Sequence, residues 1–555
     1  MSEINKHPPY GIIWEDKPSD IVTRCKTQTP IFKIIKTKEI TSDINKPTNF
    51  IINGDNYSTL LVLSTMYKGK VDVIYLDPPY NRGKGDFIYN DKIVDMDDTY
   101  KHSKWLSMMN YILLLARELL SDSGVIFCSL DDNEIAQARM LFDNIFKYNR
   151  ITQATVITNH KGNNDQSGFT GIHEYLLVYA KNKNNIKFNE FPIDEENLSK
   201  WKRDEIGLYK LGRGLKAGGI DSPREKRKSL YFPVFVDQFS NIYVTEDDKP
   251  PKSLEDNFYN TVYPETNGKE LRWYWNKKKF TDDKNDIIVV RTSKNITFHK
   301  KQRPTTGDIP STKLKSVLYK PEYSSVTATQ ELKDILGVSI LGEKMFDYPK
   351  SLTFMEDIIF YCGPKNAIVL DLFAGSGTTG HATLDLNKKD GGTRSFILCE
   401  IDSHICKDVC YERIKRVMNG YNKSSNDKRV DSLGGNLQYI EIGLEKHIAT
   451  TFSVQQISRK LEDTIRVKEE CFVDVFRENE YVIFSDSNNK YLAIIYDCDN
   501  IESLIEHIKI INKKFIIYVT SISGGVREDE FEEVKHLVSL NSIPSSILDI
   551  ISKNL

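Results

Sequence analysis

The chain has no long apolar run, no paired cysteines and almost no net charge. No stretch approaches the ~20 consecutive apolar residues of a membrane helix, and the opening Met-Ser-Glu-Ile-Asn-Lys carries no apolar signal region. No membrane association is expected. The eight cysteines lie outside CxxC pairs, and Cys406 and Cys410, four apart on an expected helix, have no His-Cys partners nearby. That spacing argues against a zinc site and for a reduced, cytoplasmic protein without metal. A formal charge of -2 excludes a chain that is basic throughout, but it leaves room for local basic patches. Repeats, low-complexity tracts, a phosphate loop of the form GxxxxGK(S/T) and a nuclease-like cluster are also missing.

Hydrophobic residues make up 39% of the 555 positions and charged residues 28%, a globular balance. The length suits about two to four domains. Residues 1–48, mixed in Pro, Lys and Thr, read as an N-terminal arm or peripheral elements. From Asn49 strands and helices alternate. A strand ends in the turn at Asn53-Gly54-Asp55-Asn56, and a helix follows through Leu60, Leu61, Leu63 and Met66. Val71 to Leu76 is a buried strand, Lys104 to Leu120 an amphipathic helix, and Val125 to Leu130 a further strand. Asp131-Asp132-Asn133-Glu134 is expected to cap the next helix, and Glu174 to Ala180 forms a strand. This alternation predicts an α/β fold with a parallel sheet covered on both faces. The pattern breaks between about 185 and 325 and resumes with a helix from Ser351, strands Ala367–Asp371 and Ser395–Asp402, and a helix through Ile405, Val409, Ile414 and Val417. Beyond about 425, strands at 481–485, 492–496 and 515–521 with helices at 501–512 and 527–538 suggest a small α+β domain. The expected divisions are therefore 1–48, 49–184, 185–325, 326–425 and 426–555.

Two stretches carry the chemistry. Asp77-Pro78-Pro79-Tyr80 closes the Val71–Leu76 strand. Proline lacks an N–H and drives the preceding residue out of the α region, so Asp77 is aimed outward and the Pro78 carbonyl is left free. Two acceptors beside an aromatic ring suit an exocyclic amine on a flat base. Such an amine is a poor nucleophile, and acceptors that favour a tetrahedral nitrogen would direct its lone pair at an electrophilic methyl group. Tyr80 is expected to stack on the base, which in duplex DNA must first be flipped out. The second stretch runs Asp371-Leu372-Phe373-Ala374-Gly375-Ser376-Gly377-Thr378-Thr379-Gly380. A strand, a glycine turn and a helix, followed one strand later by the acid Glu400, is a nucleotide-binding arrangement shared by several enzyme classes. Asp371 before the turn suits a ligand ammonium and Glu400 a ribose diol, a combination that describes S-adenosyl-L-methionine. Thr378 and Thr379 are read as lining or capping the helix start. The irregular segment carries basic residues among aromatics, at Trp201-Lys202-Arg203, around Arg224, Lys226, Arg227 and Lys228, and around Arg272, Lys277 and Lys278, which suits a surface for the phosphates and bases of a nucleic acid.

With these motifs in hand, the chain resembles the modification subunits of Type III restriction-modification systems, among the DNA amino-methyltransferases. Asp77-Pro78-Pro79-Tyr80 is similar to that family's catalytic motif, and the stretch from Asp371 through Phe373, Ala374, Gly375, Ser376, Gly377 and Thr378 to its cofactor motif. Phe346-Asp347-Tyr348-Pro349-Lys350 is similar to an additional cofactor motif, so Phe346 and Lys350 enter as cofactor-binding residues. Gly54-Asp55-Asn56, 124–134, His173-Glu174-Tyr175, 434–439 and Ile543-Pro544 also look like this family. Catalytic motif before cofactor motif is the permuted β-class order. The resemblance implies a permuted, discontinuous Rossmann-like methyltransferase domain with an inserted target-recognition domain at 185–325 and a small C-terminal domain. It further implies a homodimer that methylates adenine N6 in duplex DNA and pairs with a separate ATP-dependent restriction subunit, the helicase-nuclease. N4-cytosine methylation, a solitary methyltransferase, an inactive DNA-binding module and, more remotely, a nicotinamide oxidoreductase stay open at this level.

Overall fold

The computed structural model describes residues 11–542 apart from 44, 84, 91, 163–167, 193–198, 255–256, 294, 305–310, 338–345, 347, 447–453, 487, 498–500 and 520–527. Of the motif residues, Asp347 and Ile543-Pro544 lie outside the described set. The chain divides into one unit formed by 1–189 and 315–555 and a second formed by 190–314.

The first unit is built on a ten-stranded sheet. Its strands are β1 (Gln28–Ile34), β2 (Thr48–Asn53), β3 (Val71–Leu76), β4 (Leu120–Leu130), β5 (Arg150–Ile157), β6 (His173–Ala180), β7 (Val317–Leu318), β8 (Ile368–Asp371), β9 (Ser395–Glu400) and β10 (Asn436–Lys446), in the spatial order β1-β10-β2-β9-β8-β3-β4-β6-β5-β7. The six strands from β10 to β4 are mutually parallel, and β6 runs antiparallel to β4. Strand residues alternate between two cores. Phe50, Ile52, Ile397 and Cys399 pack with Leu60, Trp105, Leu113 and Phe142 on one face. Ile51, Phe396 and Leu398 pack with Leu384, Ile414 and Tyr439 on the other. A sheet buried on both faces needs such near-continuous apolar strands.

The helices that follow the strands are α1 (Asn56–Ser64), α2 (Lys101–Leu119), α3 (Ile135–Phe146), α4 (Ser325–Leu336), α5 (Leu352–Cys362) and α6 (Thr378–Asp390); a π-helical turn at Ile405–Tyr411 leads into α7 (Glu412–Asn419). Among the described residues of 1–48, the region read as an N-terminal arm or peripheral elements, Gln28–Ile34 is an edge strand of the sheet, paired with β10, and its Ile31 and Phe32 pack in different apolar clusters. One expectation differs. Asp131–Glu134 supplies no side-chain cap to α3. Glu134 is instead fully buried and accepts from Asn81 Nδ2 at 2.5 Å and contacts His102 Nδ1 at 2.7 Å.

The exposed edge of β1 is covered from the C-terminal region. In the helix α8 (Val454–Glu469), Thr464 Oγ1 and Asp463 Oδ2 accept from the backbone N–H groups of Phe32 and Ile34, both at 3.0 Å. Edge donors satisfied in this way cannot recruit a further strand. The described residues beyond it include a five-stranded sheet in the order Val473–Arg477, Tyr481–Ser485, Lys490–Ile495, Lys514–Val519, Val538–Ser542 and a helix at Ile501–Ile511. The expected helix at 527–538 is a short 3-10 segment, Glu528–Val534, and 436–446, assigned by sequence to the C-terminal domain, is β10 of the large sheet.

The second unit carries a four-stranded antiparallel sheet (Lys202–Asp204, Gly207–Gly214, Ile296–Gln302, Ile287–Arg291) and a three-stranded one (Ile242–Tyr243, Val234–Asp237, Tyr259–Val262). Phe232, Val234, Trp273, Trp275, Phe280 and Phe298 form its core.

Candidate functional site

In the first unit the chain leaves β8 toward β9 and leaves β3 toward β4, in opposite directions across the sheet. Open α/β sheets bind ligands beyond the carboxyl ends of strands at such a switch point. Asp371 pairs across the sheet with Tyr75, so Asp371 and Asp77 stand side by side although nearly three hundred residues separate them in sequence. A cavity of about 730 Å³ opens there, lined by Asp77, Pro79, Lys350, Asp371, Phe373 to Ser376, Thr378 and Glu400. Asp55 and Asn56 at the start of α1, residues 19–21 with Arg24, and the hairpin residues 88–90 complete its wall.

The glycine turn is held from four sides. Gly375 has φ +50°, and a Cβ there would stand 2.8 Å from the Phe346 ring. Only glycine brings the backbone so close to that ring. Gly375 N–H donates to Glu400 Oε2 at 2.8 Å, and Asp402 N–H donates to the other oxygen at 3.0 Å. Asp371 accepts from Phe373 N–H at 3.0 Å and from the Thr379 hydroxyl. Arg413, almost fully buried on α7, donates to Thr378 Oγ1 at 2.8 Å and Ser376 Oγ at 3.2 Å. Thr378 in turn donates to the Lys350 carbonyl at 3.2 Å. Burial pushes the Asp371 carboxyl up to about 7 and raises Glu400 as well. Arg413 had no signal in sequence beyond its place on the helix after β9; its role follows from the fold.

The second half is the Asp77 platform. Trp105 Nε1 donates to the Pro79 carbonyl at 2.8 Å, while among the described residues no donor reaches the Pro78 carbonyl. Tyr80 differs from its expected stacking role. Its ring is buried under the Arg82 guanidinium, 4.8 Å from the centroid, and its hydroxyl donates to Asp77 Oδ1 at 3.0 Å, with Glu174 Oε2 3.2 Å from the same oxygen. Lys350 also departs from a purely cofactor-facing role. Its Nζ lies 3.2 Å from Asp77 Oδ1, 2.6 Å from Glu174 Oε2 and 2.7 Å from the Tyr80 hydroxyl oxygen. Burial raises the Asp77 carboxyl, and Lys350 opposes that shift. Burial also works against the Lys350 ammonium, but Asp77 and Glu174 outweigh it and hold it above its ordinary value. Glu174 lay inside a family-like stretch without a role; only the antiparallel placement of β6 beside β4 brings it to the platform.

The basic residues of the insert divide into two sorts. Lys226, Arg227 and Lys228 are exposed on two short 3-10 turns. Arg224 pairs with Glu270 at 2.8 Å and lies over Tyr231, Arg272 donates to the Asp221 carbonyl, Lys277 pairs with Asp248 and Lys278 with Asp282. Of the aromatics around Arg272, Trp273 and Trp275 are core residues, and only Tyr274 is exposed. Two-residue alternation sends the tryptophans inward and leaves Arg272 and Tyr274 outside.

The switch-point sheet and its crevice define an open α/β ligand-binding domain. Residues 71–411, more than half of the chain, match the DNA methylase family N6_N4_Mtase, and the chain belongs to that family. It is 40% identical over 398 residues to the Type III restriction-modification enzyme EcoPI Mod subunit of Escherichia phage P1, an alignment covering 67% of this chain and 60% of that protein. It is 31% identical over 377 residues to the Type II methyltransferase M.KpnI of Klebsiella pneumoniae, covering 66% of this chain and 84% of that protein. The chain thus spans about 60% of the length of the phage relative. Among solved structures, the M1.HpyAVI-SAM complex superposes with a TM-score of 0.31 at 15% identity, covering 66% of this chain and 98% of that one, a likeness too low to carry an inference.

Proposed function

We propose that this protein is a DNA adenine-N6 methyltransferase that uses S-adenosyl-L-methionine and serves as the modification subunit of a Type III restriction-modification system. The observation that carries the reading is the meeting of the Asp77 carboxylate with the Gly375 turn in one crevice; next to Asp77 in the chain, the Pro78 carbonyl meets no donor among the described residues. The crevice fits the cofactor in size, being within the ~300–1,000 Å³ of small-molecule sites. It fits in chemistry too: Gly375 leaves backbone within reach, Phe346 and Phe373 offer apolar walls, and Asp371 and Glu400 offer acceptors for an ammonium and a diol. Bound there, the cofactor would supply a methyl group on a sulfonium centre. Asp77 and the Pro78 carbonyl hold the two amine hydrogens and turn the nitrogen lone pair toward the glycine turn. As the methyl carbon left sulfur for nitrogen, the sulfonium would become a neutral thioether and the nitrogen cationic, and the surplus proton of that nitrogen would pass to the Asp77 carboxylate. Positioning and electrostatics supply the rate.

Double-stranded DNA is the substrate, read by the 190–314 unit through Lys226, Arg227 and Lys228, with Arg224, Arg272, Lys277 and Lys278 loosening their local pairs to reach phosphate. A homodimer and a separate helicase-nuclease partner are part of the proposal; the name of the EcoPI Mod relative, a subunit of a restriction-modification enzyme, supports the partner. Similarity to a Type II methyltransferase supports, as a second reading, a methyltransferase that works without a Type III restriction subunit, and copurification with such a subunit separates the two. The main test is Asp77→Ala. Transfer to duplex DNA should vanish while cofactor affinity in calorimetry stays within about threefold, and more than a tenth of the wild-type rate would sink the role of Asp77. Digestion of methylated DNA to nucleosides should yield N6-methyladenine; N4-methylcytosine would overturn the choice of base.

A further inference from the structure

The Asp77 platform contains more charge than an amine acceptor needs. Both contacts on Asp77 fall on one oxygen: the Tyr80 hydroxyl at 3.0 Å and the Lys350 ammonium at 3.2 Å both reach Oδ1. Two donors fill the two lone pairs of that oxygen. The carboxylate is thereby fixed with Oδ2 open, no donor among the described residues reaching it. The same ammonium lies 2.6 Å from Glu174, and the Tyr80 hydroxyl oxygen stands 3.2 Å from Glu174 Oε2, so the four side chains form a closed cluster.

We propose that Lys350 and Glu174 are positioning residues that hold the platform at one net negative charge while leaving Asp77 Oδ2 free for the substrate amine. The inference rests on the methyltransferase reading above. A lone Asp77 would be a weaker and less oriented acceptor in this buried site. Lys350 orients it and keeps it ionised, but a bare cation beside a nitrogen that becomes positive would oppose the reaction. Glu174 cancels that cation. Asp77, Lys350 and Glu174 together carry a single negative charge, which is the sign the developing ammonium requires. The other groups facing Asp77 do not disturb this balance. Tyr75, Tyr80 and Cys128 are held well above their ordinary values by burial and stay neutral, Asp371 is engaged by Phe373 and Thr379, and Arg82 is paired with Asp131.

The test is a charge cycle on the full-length protein: Lys350→Met, Glu174→Gln, the double variant and Lys350→Arg, with methyl transfer to duplex DNA followed against pH and cofactor affinity measured by calorimetry. Glu174→Gln removes the charge that cancels the Lys350 ammonium, which should lower kcat on the order of 100-fold with cofactor affinity unchanged. Lys350→Met leaves two carboxylates facing each other, so one takes up a proton; the acid limb of the rate should move into the neutral range and activity should recover as pH rises. The double variant restores one net negative charge and should return to within about tenfold of wild type, above both single variants. Lys350→Arg should keep the wild-type pH profile. A double variant no better than the worse single one, or an unshifted profile in Lys350→Met, would overturn the proposal. If Lys350→Met fails to fold, the Glu174→Gln and double-variant rates decide it by the same criterion. Wild-type protein that transfers no methyl group would sink the methyltransferase reading instead. The charge coupling would then be read from infrared titration of the Asp77 carboxyl, expected higher in Lys350→Met than in wild type, with equal values refuting it.

Discussion

Asp371→Asn should stabilise the free protein at alkaline pH while weakening its hold on the cofactor. Asp371 is 2% exposed, and burial pushes its carboxyl from an ordinary 3.8 up to about 7 in the folded protein. A carboxyl raised on folding contributes stability that is complete below the unfolded value and lost as pH rises through the folded one. At ~1.4 kcal/mol per pH unit, ionising Asp371 in place costs about 4 kcal/mol above pH 8. At about pH 5 the folded carboxyl is largely protonated and the cost is about 1.5–2 kcal/mol. Asparagine carries no charge and keeps both local bonds, because its oxygen accepts from Phe373 N–H and its amide donates to Thr379. Urea unfolding of wild type and variant at the two pH values, with equal m-values, should therefore give a gain from the substitution that is larger at pH 8.5 by on the order of 2–3 kcal/mol. An equal gain at both pH values, or a larger one at pH 5, would refute the claim that this carboxylate is ionised against its surroundings. Such a trade of stability for function is common at active sites. Calorimetry should show cofactor affinity falling at least about tenfold in the same variant.

Gly375→Val places a β-branched side chain at φ +50° and against the Phe346 ring, whose nearest atom would be 2.8 Å from its Cβ. Cofactor binding should be lost in calorimetry while far-UV circular dichroism is unchanged; retained binding would remove the turn from the cofactor site. Replacing Lys226, Arg227 and Lys228 together by alanine should weaken duplex binding and reduce the slope of log K against log salt by about 2–3, close to one unit for each phosphate no longer neutralised. An unchanged slope would take these residues off the DNA.

The clamp on Asp77 was legible in sequence only in part. Asp77-Pro78-Pro79-Tyr80 announced acceptors at a strand end because proline's constraints are local and need no tertiary context. The glycine turn from Asp371 to Thr378 was equally plain, since positive φ at Gly375 and Gly377 is a backbone demand that falls on residue type. Lys350 and Glu174 were different. Their residue types say nothing about partners, and they reach Asp77 across 273 and 97 positions of sequence only because β6 lies antiparallel to β4 and 348–350 returns over β3. The edge strand Gln28–Ile34 was missed for the same kind of reason: Pro30 and the flanking lysines mask its pattern, and its donors are satisfied by Asp463 and Thr464 from far along the chain.

Local chemistry, then, was set by sequence alone: an acid before two prolines, glycines at a strand-to-helix turn, apolar alternation that buries both faces of a parallel sheet. Sequence likewise separated the irregular 185–325 region, where the compact unit runs from 190 to 314. Tertiary structure decided which of these pieces meet. The switch point between β8 and β3 joins the platform to the glycine turn, because parallel pairing places Asp371 opposite Tyr75 and so two residues from Asp77. It also determined charge: whether Asp77, Asp371 or Lys350 is ionised depends on burial and on neighbours brought from other strands, quantities that no single stretch of sequence contains.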